Sequence, residues 1–220
     1  QMSSIMQNNW IRKILVSTPI MGKDSTFNRS VILLYEESVQ HIAGLVLNKP
    51  SKTPVQTIFK IKGFKPLGLK DMVFSGGPVS QEAVMILHSD EWKCNNTLNL
   101  GNGFSLTSDA NMLKKIHEQD KPKQWRVYSG LSLWNPGQLE GEINSKCWLV
   151  IQKPTQDLIL ETNPLLQWQK AIDLCSKETM ESHAICRLQF SRCGVRCNYW
   201  DSWVCTRFRH RRHSRQSRIP

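Results

Sequence analysis

His88 and Glu140 are the two side chains best suited to moving protons. A histidine titrates near neutral pH, and a carboxylate can partner it if both reach one substrate directly or through one water. His88 closes the apolar run Val84 to His88, with no Cys or His near it at ligand spacing. A satisfied core histidine is therefore favoured over a metal ligand. Glu140 lies in Trp134-Asn135-Pro136-Gly137-Gln138-Leu139-Glu140, where a strand hands over to a helix. Free N–H groups at such a junction can take an anion, although a well-capped helix is the favoured reading. Asn48 and the segment Ser75-Gly76-Gly77-Pro78 also end strands. Two glycines there permit a tight turn or a close backbone approach. A phosphate-cradling loop needs Gly-x-x-x-x-Gly-Lys-Ser/Thr, which is absent, as are a Gly-x-Ser-x-Gly elbow, paired zinc ligands and a dinucleotide fingerprint. The candidate groove is thus Asn48, Gly76, Gly77, Pro78, His88, Trp134, Asn135, Gly137, Gln138 and Glu140. None has an assigned catalytic role, and neither a metal nor a cofactor is expected.

The elements that must position these residues follow from pattern. Lys13 to Ser17, Val31 to Tyr35, Ile42 to Leu47, Met72 to Phe74 and Val84 to His88 read as strands, the second and third as a hairpin or sheet neighbours. Pro54 to Ile61 reads as a short helix with Val55, Ile58 and Phe59 on one face. Leu98 to Leu106 forms a hairpin around Gly101-Asn102-Gly103, after which Ser108 caps a helix carrying Met112, Leu113 and Ile116. Arg126 to Leu131 is a strand closing at Gly130. Asn135 then caps a helix, with Pro136 at its first position and Gln138 completing a capping box. Leu139 and Ile143 point that helix inward. Cys147 to Ile151 reads as a strand covered on both faces. Asn163-Pro164 opens a last helix with a Leu165, Trp168, Ile172 stripe. Strands and helices interleave without strict alternation, which gives an α+β fold with a mixed sheet.

The 220 residues suffice for one domain or a domain with a subdomain. No apolar run approaches the ~18 residues of a membrane span, and the N-terminal residues lack a signal-peptide pattern, so a cytoplasmic location without membrane contact is the expectation. The net charge of +11 suggests nucleic acid until it is divided. Residues 184–220 hold nine Arg and one acid, +8; residues 1–183 hold 20 bases and 17 acids, +3. The tail also carries Cys186, Cys193, Cys197 and Cys205, at no usual zinc spacing. Three parts are expected: an N-terminal extension (1–11), an α+β domain (12–183) and an Arg/Cys-rich tail (184–220) that is disordered or arises from a non-native reading frame. Nucleic acid is expected to bind only through that tail.

Several segments together resemble the AlgH/YqgE family of bacterial proteins: Ile14-Leu15-Val16-Ser17-Thr18-Pro19, Phe27-Asn28-Arg29-Ser30-Val31-Ile32-Leu33-Leu34, Gly44-Leu45-Val46-Leu47-Asn48-Lys49-Pro50, Phe74-Ser75-Gly76-Gly77-Pro78-Val79, Leu87-His88-Ser89, Trp134 to Glu140, and Trp148. Leu133 stands where the family usually has Gly. The resemblance implies a strongly bent, pseudo-barrel-like sheet flanked by helices, carries the label of a transcriptional regulator, and supplies no agreed catalytic residues. The favoured function is a non-enzymatic regulatory or interaction protein acting on a protein or small-molecule partner. The alternatives are a small-molecule-binding protein or hydrolase-type enzyme using a His88/Glu140 groove, and a nucleic-acid binder using the basic tail.

Overall fold

An uninterrupted apolar strand such as Val31-Ile32-Leu33-Leu34-Tyr35 needs cover on both faces, and the fold supplies it. A computed structural model describes residues 9–23 and 25–190, with side chains through residue 179. The chain divides into two units, residues 1–176 and 177–220; the core and the site lie in the first.

Ten strands form one strongly curled, half-barrel sheet: β1 Ile14–Ser17, β2 Val31–Glu37, β3 Ile42–Val46, β4 Pro50–Pro54, β5 Met72–Ser75, β6 Val79–Ser89, β7 Thr97–Asn99, β8 Phe104–Thr107, β9 Trp125–Trp134 and β10 Trp148–Ile151. The main order is β10-β1-β2-β3-β9-β6-β8-β7, with β4 on β5 and β5 on β9. All pairs are antiparallel except β5 with β9, so the sheet is mixed. The helices are α1 Val55–Ile61, α2 Met112–His117, α3 Gln138–Asn144 and α4 Pro164–Phe190, with a 3-10 turn at Pro19–Met21 and a π-helical turn at Asp157–Glu161.

Successive residues of a strand point to opposite faces. On β1 and β2, Ile14, Val16, Val31 and Leu33 enter a cluster closed by Leu158, Ile159 and Leu160 of the π-helical turn and by Ala171 and Cys175 of α4. The alternate residues, Leu15, Ile32 and Leu34, meet Trp10, Trp134, Trp148 and Leu139 of α3. Further along the sheet, Ile86 and Val127 face α1 and α2 through Val55, Phe59, Met112, Leu113 and Ile116. Both faces are dry because helices cover opposite sides at different places. Trp10 belongs to this core, although the sequence assigned it to an extension.

Four local expectations are corrected. Gly130 does not end its strand: β9 continues to Trp134, and Gly130 takes φ +77 inside it, where the β6 register shifts. α2 begins after Asn111 rather than at Ser108, whose carbonyl accepts from Asn96 Nδ2 at 2.7 Å. β10 is not covered on both faces. It is an edge strand, and Leu149 is 40 % exposed. The helix opened by Asn163, whose Oδ1 accepts from Leu165 N at 3.0 Å, does not turn Leu165 inward. Leu165 is 84 % exposed, and Gln167, Ala171 and Cys175 are the buried positions. The tail expected over residues 184–220 and residues 1–8 of the expected extension lie outside the residues whose side chains are described.

Candidate functional site

His88 has no solvent exposure. Its Nδ1 lies 2.8 Å from the Ser89 carbonyl and its Nε2 2.8 Å from Thr107 Oγ1. A carbonyl only accepts, so Nδ1 carries the proton and Nε2 accepts from the Thr107 hydroxyl. Thr107 in turn takes a hydrogen bond from Thr97 Oγ1 at 2.7 Å, and Thr97 accepts from Cys94 N at 2.8 Å. Burial holds the His88 pKa below its ordinary value, opposed by its bond to Ser89 and by Glu91 and Asp90. Trp92 packs edge-on at 4.9 Å. His88 is a neutral, fully partnered core residue.

The acid/base partnership with Glu140 does not form. His88 pairs with Trp125 at one end of β9, while Trp134 leads toward Glu140 from the other end. Both ring nitrogens of His88 are taken by Ser89 and Thr107, and neither bonds Glu140. Glu140 instead accepts from the Trp10 indole at 3.0 Å and ties the N-terminal segment to α3. The expected cap is also rearranged. Gly137, at φ +77, is the residue before α3, and Asn135 makes no side-chain cap. The return half of the capping box does form, with Gln138 Oε1 accepting from Asn135 N at 3.1 Å. Glu142, which was not among the candidate site residues, organises the corner. Its Oε2 accepts from the indoles of Trp134 at 3.0 Å and Trp148 at 2.7 Å, and its Oε1 accepts from Gln138 at 2.9 Å. Phe27 packs against both rings.

Gly76 and Gly77 are buried where β3, β5 and β6 meet β9, with Pro78 exposed beside them. A Cβ on Gly76 would stand 2.3 Å from the Gly130 carbonyl oxygen, and one on Gly77 2.3 Å from Leu131 backbone. The pair is thus a close backbone crossing rather than a free turn. Trp134, Asn135, Gly137, Gln138 and Glu140 thus share the α3 corner, with His88 at the other end of β9 and Gly76 and Gly77 at the backbone crossing.

A further candidate, Asn48, reaches a cleft. Its Oδ1 accepts from Val31 N at 3.0 Å and its Nδ2 donates to the Arg29 carbonyl at 2.8 Å. That grip holds Arg29 at φ +49, a left-handed conformation costing a non-glycine residue about 1–2 kcal/mol. The cleft, of about 280 Å³, is lined by Arg29, Asn48, Lys49, Pro164, Leu165, Trp168 and Gln169. The Arg29 guanidinium lies 5.2 Å from the Trp168 ring centre, and the Trp168 indole is fixed by donating to the Ser17 carbonyl at 2.9 Å. Lys49 donates to the Asn28 carbonyl. Burial first, and then the Arg29 charge, push the Lys49 pKa below its ordinary value. Among the described residues no carboxylate lines the cleft and neither cation is in an ion pair. Two cations and an apolar wall suit an anion. Among the described residues no group of three or more His, Cys, Asp or Glu side chains is placed to hold a metal.

Arg29, Lys49 and Trp168 lie far apart in sequence, and the sequence reading chose none of them. A signal was present: Asn28-Arg29-Ser30 and Asn48-Lys49-Pro50 each set a base beside a strand end, and the fold brings the two together. Those segments also bear on ancestry. The family model described as AlgH-like, DUF179, matches residues 14–180. The chain belongs to the AlgH-like family. UPF0301 proteins of two Francisella tularensis subspecies, mediasiatica and novicida, are each 27% identical over 175 residues, 76% of this chain and 90% of theirs. The solution structure of AlgH from Pseudomonas aeruginosa matches at TM-score 0.64 and 24% identity, over 75% of this chain and 88% of that one. The crystal structure of a Corynebacterium diphtheriae protein matches at TM-score 0.58 and 24% identity, over 75% and 86%. These neighbours share the AlgH-like fold; they assign no activity to the cleft.

Proposed function

We propose that this AlgH-like chain is a non-enzymatic binding protein that takes a small anionic ligand in the cleft of Arg29, Lys49 and Trp168, and that any regulatory role is exerted through occupancy of that cleft. The observation that carries this reading is a cleft lined by two cations, one of them over a fixed indole, with no carboxylate among the described lining residues. A partly buried lysine beside an arginine is unfavourable on its own, and an anion between them relieves the repulsion. The backbone strain at Arg29 supports it further, since such strain gathers at binding sites. A hydrolase-type reaction gains no support, because His88 is sealed and its ring nitrogens are bonded to Ser89 and Thr107 while Glu140 bonds Trp10.

The test is thermal unfolding of the full chain in increasing phosphate at constant ionic strength. A ligand that binds only the folded state raises stability by RT ln(1 + [L]/Kd), about 2.7 kcal/mol at a hundredfold excess over Kd. We expect stabilisation that disappears in Arg29→Gln/Lys49→Gln. An equal rise in that double variant, or none in either protein, removes the reading.

A further inference from the structure

We infer that the ligand of this cleft is a phosphate monoester whose ester group is a single flat or apolar ring: the dianion sits between Arg29 and Lys49, and the ring lies against Trp168 and Leu165. This rests on the anion-binding reading and deepens it. The lining is mixed in chemistry: the Arg29 guanidinium and the Lys49 ammonium stand with Pro164, Leu165 and the Trp168 indole, and the guanidinium lies over the indole ring at 5.2 Å. Free phosphate would leave the apolar lining wet, and a neutral ring would leave two like charges without a counterion. A monoester satisfies both parts of the lining with one molecule.

Charge and size set the class more closely. A phosphate monoester carries about −1.5 to −2 near neutral pH, which matches two cations, whereas a carboxylate offers one charge. The planar fork of Arg29 can take two phosphate oxygens while Lys49 supplies a point charge. The first turn of α4 forms part of the rim through Pro164 and Leu165, and its positive end adds to the same field. The volume of about 280 Å³ suits a small ligand of one phosphate and one ring. Leu165 is 84 % exposed at the rim, where a bound ring would cover it.

The experiment is a titration of the ¹⁵N-labelled full-length chain with phenyl phosphate, inorganic phosphate and benzoate, followed at the Trp168 indole N–H. That signal is assigned by its loss in Trp168→Phe. Phenyl phosphate is expected to bind about tenfold more tightly than inorganic phosphate, the factor that burying roughly 60 Å² of apolar ring supplies. Benzoate is expected to bind more weakly than phenyl phosphate. Leu165→Ser, a change at an exposed position, should reduce the phenyl phosphate advantage and leave inorganic phosphate unchanged; Arg29→Gln and Lys49→Gln should weaken both phosphates. If inorganic phosphate binds through Arg29 and Lys49 but the ring adds nothing, or if benzoate equals phenyl phosphate, this ligand class is overturned and the anion site stands. If none of the three probes shifts the indole, both fall.

Discussion

His88 shows what burial does to a titratable residue when every polar atom has a partner. Its folded pKa is lowered, chiefly by burial. Above the unfolded value of ~6.5 both states are neutral, and His88 makes stability no different. As the pH falls below that, the unfolded chain takes a proton that the folded chain refuses, so stability drops until the lowered folded pKa is passed. Urea unfolding from pH 7.5 to 5 should show this decline, and His88→Gln should flatten it. His88→Ala, which opens a cavity and removes the acceptor of the Thr107 hydroxyl, is expected to cost about 3 kcal/mol at pH 7.5. At the backbone crossing, Gly77→Ala has no room for its Cβ. A loss of about 3 kcal/mol or failure to fold is expected, against little change for Pro78→Ala beside it, as read by the denaturant midpoint.

Short helices make sense only through what they grip. α3 has seven residues and no side-chain N-cap, too little to stand alone. It persists because Leu139 is buried and because Glu142 accepts from two indoles on different strands. Glu142→Ala leaves both N–H groups without an acceptor and is expected to cost about 2–3 kcal/mol. Glu142→Gln, which keeps one accepting oxygen, should cost less, and chemical denaturation of the two variants orders them. The corner also shows how far the sequence could be read. The continuous apolar runs of β1, β2 and β3 announced their strands because both faces are covered. The Asn-Pro signal promised a cap at Asn135, but Pro136 was taken up by a turn in which Gln138 N donates to the Asn135 carbonyl at 3.0 Å, and the helix opened two residues late. Leu165 looked inward by its spacing from Trp168, yet the face α4 buries is set by Gln167 and Ala171, a rotation that spacing alone does not fix.

Across the whole molecule, what sequence could not disclose was proximity. Arg29, Lys49 and Trp168 form a cleft because α4 packs back over strands laid down more than a hundred residues earlier, and nothing local encodes that. Charge, by contrast, was legible, and most of it falls in one segment. Residues 184–220 hold +8 of the +11. The expectation is that any nucleic acid contacts the arginines of that segment. DNA affinity of the full chain should fall with salt at a log–log slope of about −0.9 per phosphate neutralised. Replacing Arg207, Arg209, Arg211 and Arg212 by Gln should shallow that slope, while Arg29→Gln should not, as measured by fluorescence anisotropy across a salt series. No helix among the described residues is long and apolar enough to cross a membrane.

The pairing of β1 with β10 sets a demand on the cell that makes this chain. Ile14 lies opposite Ile151, so one side of β1 has no strand to join until 137 further residues are polymerised. At roughly 5–20 residues per second a ribosome needs about 7–27 s for that stretch. Throughout that interval a strand as apolar as Ile14-Leu15-Val16 waits beside an unfinished sheet. A nascent chain stalled before residue 148 should therefore be held by trigger-type chaperones, and one stalled well past the end of β10 should be released.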